Sequence, residues 1–153
     1  MDTPVKQGVK ILVVDDEPML RQAVKLLLEH DGEQVETVKS GEAALAALAQ
    51  QTFDLVITDF SMPGMQGDEL VARIRQQLPA QRIIMATAFV EEYRVFAQPT
   101  GNVDAVLLKP FSYKELHAAV AQVLTEEPNY CIPTVPPIFQ QSPAQDFPLP
   151  PER

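Results

Sequence analysis

The chain has 153 residues, of which 46% are hydrophobic, and a formal net charge of -9 at pH 7. This size predicts one folded domain with a tail rather than two full domains. The acidic balance disfavours a nucleic-acid-binding face, which needs clustered Lys and Arg, so we expect no nucleic-acid partner. Its single cysteine cannot form an internal disulfide, and no apolar run reaches the roughly 20 residues that span a bilayer. We therefore expect a cytoplasmic protein without membrane contact.

Short apolar runs alternate with amphipathic stretches along the chain. The runs are rich in branched residues, which suits strands buried on both faces. The predicted strands are 11–14, 35–38, 53–58, 82–86 and 104–108, and the predicted helices begin at about Pro18, Ser40, Asp68, Glu91 and Ser112. This alternation predicts an α/β fold with right-handed crossovers, a doubly wound parallel sheet and helices on both faces.

Several helix starts carry local signals. Pro18 suits the first turn of the first predicted helix. Ser40 can cap the second predicted helix. Ser112 and Glu115 have the spacing of a capping box. The helix from Glu91 must be short, because a proline follows at position 99.

Acidic, hydroxyl and basic residues stand where the predicted strands end. Asp15 and Asp16 follow the first strand and Asp59 follows the third. Thr87 and Lys109 follow the fourth and fifth. Parallel strands end at one edge of a sheet, where ligands of such folds bind. We therefore expect these five residues to form one site.

Four motifs at these strand ends resemble those of one family. They are Asp15-Asp16, the segment 59–64 with Met62-Pro63-Gly64, Thr87-Ala88 and Lys109-Pro110-Phe111. Over about Val9 to Thr125 the chain resembles the receiver domain of response regulators in two-component signalling. The resemblance implies a flavodoxin-like fold with five strands in the order 2-1-3-4-5.

The clustered acids predict a bound cation. Carboxylates packed together repel one another, so a divalent ion should offset their charge, and Mg²⁺ (or Mn²⁺) prefers oxygen ligands. The resemblance implies that Asp16 and Asp59 bind the ion directly with the backbone carbonyl of Ser61. Asp15 would act largely through water.

The same resemblance assigns phosphoryl transfer to the site. Asp59 would be the phosphorylated nucleophile, while Lys109, the Thr87 hydroxyl and the Ala88 amide would bind phosphoryl oxygens. In this family the Lys-Pro step is typically cis, so we predict a cis bond between Lys109 and Pro110.

One position departs from the family pattern, and two others are positions at which the family varies. Most family members carry an aromatic residue three positions before the lysine, where this chain has Val106. We expect activation to move the loop after Thr87 and the short helix before position 99 instead. Ser61 and Phe89 flank the path of the hydrolytic water, and the Phe89 ring should slow hydrolysis, although a ring pointing to solvent or a partner is an equal alternative.

The predicted organisation is an N-terminal extension over 1–8, a receiver domain over 9–126 and a tail over 127–153. Eight prolines lie in the segment 128–153, yet its apolar content exceeds that of a solvated linker. We expect this tail to dock in extended form on its own domain or on a neighbour.

The predicted function is a stand-alone switch that receives a phosphoryl group from a histidine kinase or phosphotransfer protein and changes its protein-binding surface. A phosphorelay intermediate or phosphate sink without its own output is the alternative. A homodimer is left open. A phosphatase is disfavoured because the chain lacks the D-x-D arrangement, and a degenerate scaffold because every phosphorylation residue is present. We expect self-catalysed chemistry only, without enzymatic turnover of another substrate.

Overall fold

The structure is a computed structural model that describes residues 8–89, 91, 94, 103–125 and 132–134. Its strands are β1 Lys10–Val14, β2 Gln34–Val38, β3 Leu55–Asp59, β4 Ile83–Thr87, β5 Ala105–Leu108 and β6 Ile132–Thr134. Its helices are α1 Pro18–His30, α2 Gly41–Gln50, α3 Gly67–Gln77 and α4 Tyr113–Thr125. All strand pairs are parallel, in the order β2-β1-β3-β4-β5-β6.

The sheet separates two hydrophobic cores because side chains alternate along each strand. In β1, Leu12 and Val14 pack into the core that also contains residues of α2 and α3. Ile11 and Val13 pack into the other core, with residues of α1 and α4. This distribution confirms the predicted doubly wound sheet with helices on both faces.

Local signals start the helices as the sequence predicts. Pro18 occupies the first turn of α1, and the Ser40 hydroxyl accepts a hydrogen bond from the Ala43 amide at 3.1 Å. The capping box of α4 is complete: the Glu115 amide donates to the Ser112 hydroxyl at 3.1 Å, and the Ser112 amide donates to the Glu115 carboxylate at 2.8 Å. These contacts fix where the loops before α2 and α4 end.

The predicted strand order 2-1-3-4-5 is confirmed, and β6 extends it by one strand. β6 is an edge strand, the position in a sheet where proline is tolerated. The predicted helix over 91–98 lies largely outside the described residues. The same holds for most of the tail and the N-terminal extension, so the boundaries 1–8, 9–126 and 127–153 stay predictions.

No helix within the described parts of the chain is both long and apolar enough to span a membrane.

Candidate functional site

The carboxyl ends of four neighbouring strands bring the predicted site residues together. Asp15 follows β1, and its amide donates to the Val38 carbonyl of β2 at 3.2 Å. Asp59 is the last residue of β3 and lies opposite Ala86 of β4 in the register. Thr87 ends β4 and Lys109 follows β5 directly. Asp59 and Thr87 are therefore strand residues rather than loop residues, which fixes their backbone positions.

Three carboxylates and one ammonium group form the centre of the site. One oxygen from each of Asp15, Asp16 and Asp59 lies within 4.8 Å of the others. The Lys109 Nζ is 2.9 Å from Asp59 Oδ1 and 3.4 Å from Asp15 Oδ2. Asp15 and Asp59 are buried, with side chains 7% and 9% exposed, whereas Asp16 is more open to solvent. One lysine thus contacts two of three clustered acids.

Burial and charge shift the pKa values of this ion pair. Burial raises the pKa of Asp59 above its ordinary value, and the charges of Asp15 and Asp16 add to that rise. The hydrogen bond and charge of Lys109 only partly oppose it. For Lys109, burial alone would lower the pKa, but its contacts with Asp59 and Asp15 outweigh burial and raise it. Three carboxyl groups thus lie around a single ammonium group, and a further cation would offset the repulsion among them.

An open cleft of about 250 Å³ lies over the acids. Its lining includes Asp16, Asp59 and Lys109 together with three other predicted positions, Ser61, Ala88 and Phe89. Phe89 borders the cleft, and the residue is 55% exposed. The structure thus brings these predicted residues to one place, while their individual roles stay predictions.

Thr87 lies beside the cleft with its side chain tied to the following loop. The residue is buried, and its hydroxyl oxygen accepts a hydrogen bond from the Phe89 amide at 3.1 Å. The Thr87 carbonyl accepts from the Lys109 amide at 2.7 Å. Thr87 is therefore in contact with both the loop after β4 and the residue that carries the site's ammonium group.

Two residues of the site were not predicted from the sequence. Glu17 lines the cleft, and its amide donates to Asp15 Oδ1 at 2.9 Å. Arg21, on the first turns of α1, donates from Nη1 to the Asp15 carbonyl at 2.6 Å. A third acid directly after the Asp15-Asp16 pair was a readable signal for Glu17. The contact of Arg21 depends on how the helix leaves the loop, for which the sequence carried no distinct signal.

The peptide bond between Lys109 and Pro110 is cis, as the sequence analysis predicted. Val106 is completely buried in the core on the α2 and α3 side of the sheet. The predicted movement of the loop and helix before position 99 falls mostly on residues outside the described part of the chain, so it stays a prediction.

The family of the chain follows from its sequence as well as from this geometry. Residues 11–121 match the response regulator receiver domain family. The chain belongs to this family. The receiver match covers all of the site residues and, except for Lys10, the first five strands, and it ends within α4.

Several known proteins resemble this receiver. The transcriptional regulatory protein TcrA of Mycobacterium tuberculosis is 35% identical over 128 residues, which cover 84% of this chain and 51% of TcrA. The chain therefore spans about half the length of that relative.

Two solved structures share the receiver's architecture. The chemotaxis response regulator CheY4 of Vibrio cholerae has a TM-score of 0.71 and 33% identity, covering 77% of this chain and 100% of that one. The response regulator TrrA of Thermotoga maritima, solved in complex with Mg²⁺ and BeF, has a TM-score of 0.70 and 36% identity, covering 76% and 99%. The sequence identities of both structures support a shared family as well as a shared fold.

The acidic pocket of this receiver fits a divalent cation by its own chemistry. Its three carboxylates offer hard oxygen ligands within 4.8 Å of one another. Asp16 is open to the cleft, so an ion can reach the acids from solvent. Because burial and mutual repulsion raise the pKa of Asp59, a cation would favour its ionised form.

Proposed function

We propose that this receiver accepts a phosphoryl group on Asp59 from a histidine kinase or phosphotransfer protein and signals through a change of its protein-binding surface. The observation that carries the proposal is the placement of Asp59. Its carboxylate ends the central strand β3, lies among two other acids and is 2.9 Å from the Lys109 ammonium group. This combination supplies a nucleophile, ligands for a cation and a fixed positive charge.

In the proposed reaction, an Asp59 carboxylate oxygen attacks the phosphorus atom of a phosphohistidine. A bond forms between that oxygen and phosphorus, while the bond from phosphorus to the imidazole nitrogen breaks and leaves its electron pair on nitrogen. Bound Mg²⁺ would offset the charge of the acids and of the transferred group. Asp16, Asp59 and the Ser61 carbonyl are the proposed direct ligands, with Asp15 acting through water.

The remaining site residues would stabilise the phosphoryl oxygens. The Lys109 ammonium group is 2.9 Å from Asp59 Oδ1 and would pair with an oxygen of a phosphoryl group on that residue. Ala88 borders the cleft, and Thr87 lies at the end of the neighbouring strand. Catalysis is then positioning and charge stabilisation, the usual contribution of proteins to phosphoryl transfer.

The proposal confines the chemistry to the chain's own aspartate, with no turnover of another substrate. Output through protein contact, and a cytoplasmic location, belong to the same proposal. The match to CheY4 over 100% of that chain supports a receiver that folds by itself.

Phosphorylation with a small donor tests the proposal directly. The full chain is incubated with Mg²⁺ and acetyl phosphate or phosphoramidate, and its intact mass is measured. We expect wild type to gain one phosphoryl group and Asp59→Asn to gain none. Asp68→Asn is the matched control, because Asp68 is an exposed acid on α3 and should leave the gain unchanged. No gain on wild type would contradict the proposal.

A further inference from the structure

β5 connects the site with the C-terminal segment. It pairs with β4 along one edge and with β6 along the other. Lys109 follows β5 directly, and its ammonium group reaches Asp59. The pairing of β5 with its two neighbours therefore affects the position of Lys109.

The backbone of Lys109 shows which groups of β5 face β6. Its amide donates to the Thr87 carbonyl of β4 at 2.7 Å. Backbone groups of successive strand residues point to opposite edges, so the amides of Leu108 and Val106 point toward β6. Without β6, these donors would form an unpaired strand edge.

The position of the proline in β6 fits the same alternation. Pro133 lies opposite Val106 in the register. Because proline has no N–H, Pro133 must be the β6 residue whose backbone faces away from β5, and its two neighbours face β5. An outward-facing proline also removes the donor that another strand would need for pairing. β6 is thus suited to pairing on one side only.

We propose that residues 132–134 are a positioning strap, which pairs with β5 and so holds the strand in the place that presents Lys109 to Asp59. The proposal rests on the proposed function of Asp59 as phosphoryl acceptor. The occupant of the β5 edge is the chain's own segment, because only residues 126–131 separate β6 from the end of α4. Coupling is reciprocal: if the strap strengthens binding of a phosphoryl mimic, the mimic must tighten the strap by the same factor.

Two substitutions in the full chain separate backbone pairing from other effects. Thr134→Pro removes an amide that faces β5, and the preceding residue keeps the extended conformation that a following proline favours. Pro133→Ala is the matched control, because the amide it adds faces away from β5. Ile132→Pro removes the other amide that faces β5 and serves as an independent repeat. None of the three changes a residue of the site.

Amide hydrogen exchange and titration with beryllium fluoride and Mg²⁺ test the strap together. We expect Thr134→Pro and Ile132→Pro to speed exchange at Val106 and Leu108 and to weaken binding of the mimic about fivefold, which is the loss expected for about one net hydrogen bond. Pro133→Ala should match wild type in both measurements. In wild type, the mimic should slow exchange at Thr134.

Each contrary result has its own meaning. Unchanged exchange at Val106 and Leu108 in Thr134→Pro would overturn the pairing itself. Faster exchange with unchanged binding of the mimic would overturn the positioning role, as would a Pro133→Ala variant that behaves like Thr134→Pro. Failure of wild type to bind the mimic would instead refute the proposed function and the coupling with it, while the exchange rates would still report on the strand.

Discussion

Asp59 is a buried carboxylate that lies beside two other acids. Burial and the neighbouring acids raise its pKa, and Lys109 opposes them only in part. We therefore expect Asp59→Asn to raise the free energy of unfolding of the metal-free protein at pH 7 by about 1 kcal/mol, or Tm by about 2–4 °C. Lys109 keeps a partner in this variant, because Asp15 lies 3.4 Å away. Melts in the presence of a chelator measure the difference.

The pH dependence of that difference follows from the direction of the pKa shift. A raised pKa means that the folded state binds the proton more tightly than the unfolded state, so the wild type loses stability as pH rises through the pKa of folded Asp59. The advantage of Asp59→Asn should therefore shrink toward acid pH. An advantage that grows as pH falls would contradict the assignment of the shift to Asp59.

The Arg21 side chain contacts the backbone of the site rather than one of its carboxylates. Its guanidinium donates to the Asp15 carbonyl, which belongs to the peptide group that joins Asp15 to Asp16. Arg21→Met removes this charge-assisted hydrogen bond, and we expect Mg²⁺ affinity to fall about tenfold, as for other residues that orient metal ligands. Calorimetric titration with Mg²⁺ measures the change.

Arg73→Met is the matched control for this prediction. Arg73 is an exposed arginine that pairs with Glu69 one turn away on α3, at 2.9 Å. Its loss should leave Mg²⁺ affinity unchanged and cost only a few tenths of a kcal/mol in stability. Equal losses of affinity in both variants would refute the positioning role of Arg21. A general effect of charge cannot explain a loss, because removing a positive charge strengthens the binding of a cation.

At the scale of elements, a glycine lets α3 start against the end of β3. A Cβ on Gly67 would lie 2.4 Å from the Asp59 carbonyl oxygen and 2.8 Å from the Phe60 Cα, and both are backbone atoms. We expect Gly67→Ala to cost about 3 kcal/mol, because the helix must move away from the strand. The same movement should weaken Mg²⁺ binding at Asp59. Urea unfolding and Mg²⁺ titration measure the two effects.

Gly41→Ala provides the comparison, since Gly41 also begins a helix. A Cβ there would meet the Met65 side chain, with Sδ at 2.7 Å. Methionine is flexible and can move aside, and alanine favours the helix by up to about 1 kcal/mol over glycine. Gly41→Ala should therefore cost less than about 1 kcal/mol. A larger loss than in Gly67→Ala would show that close approach to the strand backbone is not what requires glycine at position 67.

The elements most visible in the sequence were those with strong local signals. Branched apolar runs marked the four buried strands β1, β3, β4 and β5, and the box of Ser112 and Glu115 marked the start of α4. β6 was not predicted as a strand, because it has three residues with a central proline and depends on pairing with β5. Strand ends were placed within about two residues, since the apolar pattern does not show that Asp59 and Thr87 still pair with their neighbours.

The residues that form the candidate site could be predicted from the sequence, but the residues that position them could not. Asp15, Asp59 and Lys109 were readable because parallel strands bring their carboxyl ends to one edge. The contact of Arg21 and the close approach at Gly67 depend on where helices leave their loops. Such distances of a few ångströms arise from packing, which no periodicity in the sequence encodes.

For the whole molecule, Mg²⁺ binding and folding should be linked. A ligand that binds only the folded state stabilises it by about 2.7 kcal/mol at a hundredfold excess over its Kd. We expect this gain in wild type at pH 7, and a loss of the gain in Asp16→Asn and Asp59→Asn. Glu69→Gln should retain the stabilisation by Mg²⁺, because Glu69 is an exposed residue on α3. Melts with and without Mg²⁺ measure the gain for each variant.

Acidification should weaken this linkage, because protons compete with Mg²⁺ for a carboxylate whose pKa is raised. The gain from Mg²⁺ should therefore fall as pH drops through the pKa of folded Asp59. The order of stability of the two proteins should therefore reverse at pH 7. Asp59→Asn should have the higher free energy of unfolding without Mg²⁺, and wild type should have the higher one with Mg²⁺. A stability order that Mg²⁺ leaves unchanged would mean that the ion does not bind at Asp59.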